Sequence, residues 1–143
     1  MRALVLCSSL ALLLMSPLKA SDEIRCALVL ATNEIPQKKT PPALESFSTT
    51  IKKVFGYNSL YLLGLKKRGI NSGVNEWLVP SKEFFFQVTC LEQESSHYRV
   101  RIELFRAKDL LLTTEARLAL DAPLYIRGPQ WGDGQLILIL EVR

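Results

Sequence analysis

Near its C-terminus the chain reads Leu136-Ile137-Leu138-Ile139-Leu140, five large aliphatic residues in succession. Successive side chains of a strand point to opposite faces, so this stretch is apolar on both. It therefore needs cover from both sides, which predicts an interior strand of a layered fold. The residues just before it, Gly128-Pro129-Gln130-Trp131-Gly132-Asp133-Gly134, contain three glycines. A phosphate-cradling glycine loop leads into a helix, whose unpaired amides and dipole meet the anion. Here a strand follows instead, and Asp133-Gly134 is a hairpin dipeptide, so the stretch reads as a turn.

Alternation with a period of two recurs upstream. Between Glu83 and Glu92, Phe84, Phe86, Val88 and Cys90 share one face. Between Tyr98 and Arg106, Tyr98, Val100, Ile102 and Leu104 face one way while Arg99, Arg101 and Glu103 face the other. The polar Glu92-Gln93-Glu94-Ser95-Ser96 joins these two as a hairpin. Leu110 to Leu120 alternates again after Ala107-Lys108-Asp109. Ile24 to Ala31, Ser59 to Lys67, Glu76 to Val79 and Leu124 to Arg127 also have strand composition, and Asn71-Ser72-Gly73 is a turn signal. Short strand-to-strand links favour antiparallel pairing.

One segment has a different period. Leu44, Phe47, Ile51 and Val54 recur at helical spacing, with Phe55 beside them. Thr40 is placed to cap the start, Pro41 and Pro42 suit the first turn, and Glu45 meets the positive end of the dipole. Lys52 and Lys53 suit the opposite end, where Gly56 can close the helix left-handed. The expected fold is α+β: one amphipathic helix on a mainly antiparallel, sandwich-like sheet of five to seven strands.

Residues 1–20 stand apart from this pattern. Arg2 precedes an apolar run from Ala3 to Met15, and Ser16-Pro17-Leu18-Lys19-Ala20 breaks it. That is the layout of a secretory signal peptide, too short for a membrane span. The reading is a signal peptide over 1–20 and a single domain over 21–143, periplasmic or secreted after cleavage. Arg2 and Lys19 leave with the leader and no acid does, so the net charge falls from +4 to +2. That balance is too mild to name a nucleic acid as partner.

Two cysteines remain in the mature segment, Cys26 and Cys90, both on the apolar parity of their strands. In an oxidising compartment they are expected to pair. Closing a loop of about 65 residues would stabilise the fold by roughly 4 kcal/mol. Two separate buried thiols are the alternative. His97 is the sole histidine, which excludes a metal site built on several imidazoles. Its parity opposes that of Cys90, so a thiol–imidazole pair is not expected. The carboxylates are scattered over turns and outward faces, and no serine sits in a strand-to-helix elbow. No catalytic, cofactor or metal residue is assigned, and the chain is read as a non-enzyme.

Candidate contact residues are of two kinds. Trp77 and Trp131 each neighbour a turn, where an exposed aromatic suits partner binding and a buried one closes the core. Lys52, Lys53, Lys66, Lys67 and Arg68 are basic groups in or after the helical third, interleaved with Tyr57 and Tyr61. They can meet an anionic membrane surface or polymer, or simply be solvated.

The stretches "VFGYNSLYLLG", "EWLVPSKEFFFQV", "LLLTTEARLAL" and "PLYIRGPQWGDGQLILILEVR" resemble, in this order, an uncharacterised family of small exported bacterial proteins. The resemblance implies an envelope or secreted protein with this strand order, and no activity or site residue follows from it. The functional expectation is an exported, non-catalytic binding or assembly module. It would act on another envelope protein through a sheet edge or end loops. The alternatives are a small-ligand carrier or enzyme with a turn-built site, and electrostatic attachment to an anionic membrane or polymer.

Overall fold

The structure, a computed structural model, describes residues 22–70, 75–94 and 96–143; the side chains of Asn75 and Trp77 are outside that description. The proposed leader and the Asn71-Ser72-Gly73 turn also lie outside the described residues. Among the described residues eight strands and one helix follow in order. They are β1 (Glu23–Thr32), a single 3₁₀ turn (Pro42–Leu44) running into α1 (Glu45–Phe55), then β2 (Ser59–Gly69) and β3 (Asn75–Val79). After these come β4 (Phe84–Gln93), β5 (His97–Arg106), β6 (Asp109–Ala119), β7 (Leu124–Trp131) and β8 (Gly134–Val142).

The strands form two antiparallel sheets of four, not one sheet of five to seven. Sheet A has the order β2-β1-β8-β7 and sheet B the order β3-β4-β5-β6. Sheet B is a meander of consecutive hairpins, while β1 and β8, from opposite ends of the sequence, lie side by side in sheet A. The expected count falls short because the short segments Glu76–Val79 and Leu124–Arg127 both belong to full strands.

Two hydrophobic clusters lie on either side of sheet A. One fills the space between the sheets: Ile24, Cys26 and Leu28 of β1 and Leu136, Leu138 and Leu140 of β8 meet Phe86, Val88, Val100, Ile102 and Leu104 of sheet B. The other joins Ala27, Val29, Ala31, Ile137 and Ile139 to Leu44, Phe47 and Ile51 beneath the helix. Every residue of β8 is buried, as the doubly apolar run predicts. The layers are therefore helix, sheet A and sheet B.

The helix keeps its predicted stripe except at one position. Leu44, Phe47 and Ile51 are buried, whereas Val54 is 64% exposed and Phe55 packs inward instead. Val54 and Phe55 flank the stripe of Leu44, Phe47 and Ile51 on opposite sides, and the sheet covers the Phe55 side. No side chain caps the N-terminus; Thr40 accepts a hydrogen bond from Lys52 Nζ at 3.2 Å instead. Gly56 closes the helix with φ 78°, as expected. The preceding loop is tied to the start of β2 by side-chain amides. Asn33 Oδ1 accepts the Asn58 N–H at 3.0 Å, and Asn58 Oδ1 accepts the Glu34 N–H at 3.0 Å.

Cys26 and Cys90 are thiols in this structure, and the expected disulfide is not formed. Both enter the inter-sheet cluster, as their parity requires. Alternation fixes only the face each occupies; it does not set the close Cα and Cβ approach that a bridge needs. Burial pushes the Cys90 thiol above its ordinary pKa, partly offset by a weak hydrogen bond to the Glu92 carbonyl at 4.0 Å.

Tyr98 is 4% exposed and its hydroxyl donates to the Asp22 carboxylate, joining β5 to the start of β1. Burial first, then that hydrogen bond and the carboxylate charge, push its phenol from 10.0 up to about 12. The phenol thus ionises more readily in the unfolded chain. The stability linked to it is fully present below pH 10 and is lost as pH climbs towards 12. The shift corresponds to something on the order of 2–3 kcal/mol. Urea unfolding of the wild type and Tyr98→Phe at pH 9 and pH 11.5 should show the gap between them narrowing at the higher pH. A constant gap would contradict this role for Tyr98.

Candidate functional site

A concavity sits where the β3–β4 turn, the β7–β8 hairpin and the middle of β2 converge. It has a volume of about 320 Å³ and is lined by Leu30, Leu62, Leu63, Ser81, Lys82, Glu83, Phe84 and Trp131. Its walls come from local irregularities in otherwise regular strands.

The β2 wall is made by a bulge. Leu28 faces Gly64 and Val29 faces Leu62, so Leu63 is an extra residue on β2. A bulge re-aims side chains that strict alternation would send to opposite faces. Leu62 packs with the helix-side cluster and Leu63 with the inter-sheet cluster, yet both reach the cavity. Next to the bulge, a Cβ on Gly64 would lie 2.2 Å from the Pro80 carbonyl oxygen. Only glycine allows β2 to approach the end of β3 this closely. From Pro80 the chain passes through Ser81, Lys82 and Glu83, which form the polar rim.

The opposite wall is Trp131. Its ring meets Phe84 edge-on, with centroids 5.1 Å apart at 80°. Arg106, which faces Phe84 across β4 and β5, lays its guanidinium 4.2 Å above the indole. Trp131 thus both closes the core and faces the cavity. The hairpin that carries it turns through Gly132-Asp133, with Gly132 at φ 56°. The turn reading is right but sits one residue earlier than Asp133-Gly134. Gly134 is already in β8, where a Cβ would lie 2.7 Å from Leu30 Cδ1. A second irregularity in β7, at Gly128 and Pro129, is braced by the buried Gln135. Its Nε2 donates to the carbonyls of Gly128, Pro129 and Leu136, the last two at 3.3 and 3.1 Å.

The walls of this cavity are aliphatic and aromatic, and its rim offers one hydroxyl, one ammonium and one carboxylate. His97 lies at the start of β5, where its Nδ1 is 3.2 Å from Ser96 Oγ and its Nε2 faces Glu94. It does not join Cys90, which is buried in the core. Among the described residues no three His, Cys, Asp or Glu side chains cluster as metal ligands. No described helix is long and apolar enough to cross a membrane.

The other candidate residues are dispersed. Trp77 stands in β3 opposite Val88, and its side chain lies outside the described residues. Lys52 is engaged with Thr40 at the helix, and Lys53 is exposed. Lys66, Lys67 and Arg68 are exposed on β2, on alternating faces, opposite Cys26, Arg25 and Ile24. Lys67 also lines a small polar cavity of about 50 Å³ with Glu23, Arg25 and Arg143. Sequence reasoning missed the β2 wall, Phe84 and Arg106. The available signal was Gly64 inside the apolar Leu60-Tyr61-Leu62-Leu63-Gly64-Leu65, since an isolated strand glycine marks a bulge or a close approach.

Comparison with family models, with curated proteins and with solved structures finds no match to this chain.

Replacing Gly64 with alanine should lower unfolding free energy by about 1–3 kcal/mol, the cost of overpacking against backbone. It should also shift the amide signals of Ser81 to Phe84, because the Pro80 carbonyl must move. A stability unchanged from wild type, measured by urea unfolding, would contradict the contact.

Proposed function

We propose that this chain is a non-catalytic binding module of the bacterial envelope, working after export through its end loops. The Trp131 cavity takes an apolar group of a partner protein between the β2 bulge and the β7–β8 hairpin. One observation carries the reading: a cavity of about 320 Å³ with apolar walls and a sparse polar rim. Burying apolar surface there supplies affinity at roughly 25 cal/mol per Å². Lys82, Glu83 and Ser81 would orient the guest. The leader-like segment over residues 1–20 supports export.

A second reading, a small-ligand carrier, draws support from the same cavity. Its volume falls at the lower end of the range for small-molecule sites, about 300–1,000 Å³. Native mass spectrometry of the protein purified from its own envelope separates the two. A bound small molecule of fixed mass would favour the carrier.

Trp131 is a convenient reporter once Trp77 is replaced with phenylalanine. Titration with the uncharged apolar fluorophore N-phenyl-1-naphthylamine should quench Trp131 saturably at one site. Leu63→Arg, which places a charge on the cavity wall, should weaken that binding at least tenfold while far-UV circular dichroism stays unchanged. Quenching that does not saturate, or that survives Leu63→Arg, would contradict a site in this cavity.

A further inference from the structure

The two sheets are treated unequally. The outer face of sheet A is covered by α1, whereas no described element covers the outer face of sheet B. That bare face is not uniformly polar. At one end Phe85, Phe105 and Leu110 stand opposite one another across β4, β5 and β6. Phe85 is 51% and Leu110 50% exposed, and Leu78 of β3 is 51% exposed. An apolar ladder left open on a sheet face marks an interaction surface more often than ordinary solvated surface.

The central strand of this face has an order of charges that matches its own reverse. Outward residues of β5 run Phe105, Glu103, Arg101 and Arg99, between the buried Leu104, Ile102 and Val100. A twofold axis lying in the plane of contact and crossing β5 at Ile102 would oppose each residue to its mirror position. Glu103 then meets Arg101 of the second copy, giving two ion pairs. The ladder Phe85–Phe105–Leu110 meets the row Glu92–Arg99–Arg117, where Phe105 against Arg99 gives two cation–π contacts and the arginine stems cover the remaining apolar surface. A twofold interface must be self-complementary in this way. Within one chain Arg99 and Arg117 face each other directly, a like-charge pair that costs energy on a sheet. Their neighbours Glu92 and Glu115 offset it, at 3.4 and 3.6 Å from Arg99. Glu115 also lies 3.9 Å from Arg101, and Glu103 has no such intrachain ion pair among the described residues.

We propose that the outer face of sheet B docks a second copy of this chain, β5 against β5 in reversed direction. In this dimer Glu103 faces Arg101 of the other copy. The contact is independent of the Trp131 cavity, which lies between the sheets at their end.

Sedimentation equilibrium of the purified protein tests the proposal, with circular dichroism confirming that each variant folds. The wild type should reach twice the monomer mass at concentrations near 100 µM. Glu103→Arg places arginine against arginine across the axis, and Arg101→Glu places glutamate against glutamate. Each should weaken association at least tenfold, since opposed like charges across an interface cost several kcal/mol. Mixed in equal amounts, the two variants should associate with each other, because every opposed pair is then complementary. A wild type that stays monomeric overturns the proposal. So do single variants that still dimerise, and so does a mixture that does not recover association.

Discussion

Strand β8 belongs to both hydrophobic clusters at once, and the rest of the fold is arranged around that demand. Ile137 and Ile139 require the helix; Leu136, Leu138, Leu140 and Val142 require sheet B. Without either layer, a row of aliphatic side chains would face water at roughly 25 cal/mol per Å² of apolar surface. Its neighbour β1 meets the same demand with different sizes. Toward the helix it presents Ala27, Val29 and Ala31, small residues that leave room for Phe47 and Ile51. Toward sheet B it presents Ile24, Cys26 and Leu28. The first and last strands of the domain pair to make this central ribbon, so its interior is complete only when both ends of the chain are in place.

A core filled in this way leaves chemistry to the margins. The inward positions are aliphatic or aromatic, with two buried thiols among them. Arginines lie over aromatic rings where the core reaches solvent: Arg25 over Phe47, Arg127 over Phe55 and Arg106 over Trp131. These contacts cover ring faces with charge without sealing them. At the Trp131 end the β2 bulge at Leu63, the β3–β4 turn and the β7–β8 hairpin leave a cavity between them. The cavity is thus the product of a strand bulge and an inter-strand turn.

Much of this was legible in the sequence, and the failures have a common cause. Periods of 2 and 3.6 identify the helix and the faces of β4, β5 and β8, because burial acts on each segment locally. In β6 the period places Leu110 and Leu120 inward with Leu112, Ala116 and Leu118, whereas the bulge at Leu111 turns Leu110 outward beside Phe105 and Leu120 is exposed. Period alone does not say which strands are partners. The split into two sheets, with β1 beside β8, depends on contacts between residues more than a hundred positions apart. Bulges are equally hidden: the skipped residues Leu63, Leu91 and Leu111 look like ordinary strand leucines, and each changes the register after it. Compartment and shared parity suggest a Cys26–Cys90 disulfide, but neither sets a distance. The cavity is not legible because its walls come from four separated stretches, although the place of Trp131 beside a turn marks one of them.

If the doubly covered β8 is the element on which the others depend, its amides should open only when the whole domain unfolds. Native-state hydrogen exchange measures this residue by residue. The amides of Leu136 to Leu140 should be the slowest in the protein, with those of α1 and of the edge strand β6 exchanging through smaller openings. Exchange in β8 as fast as in β6 would contradict the account.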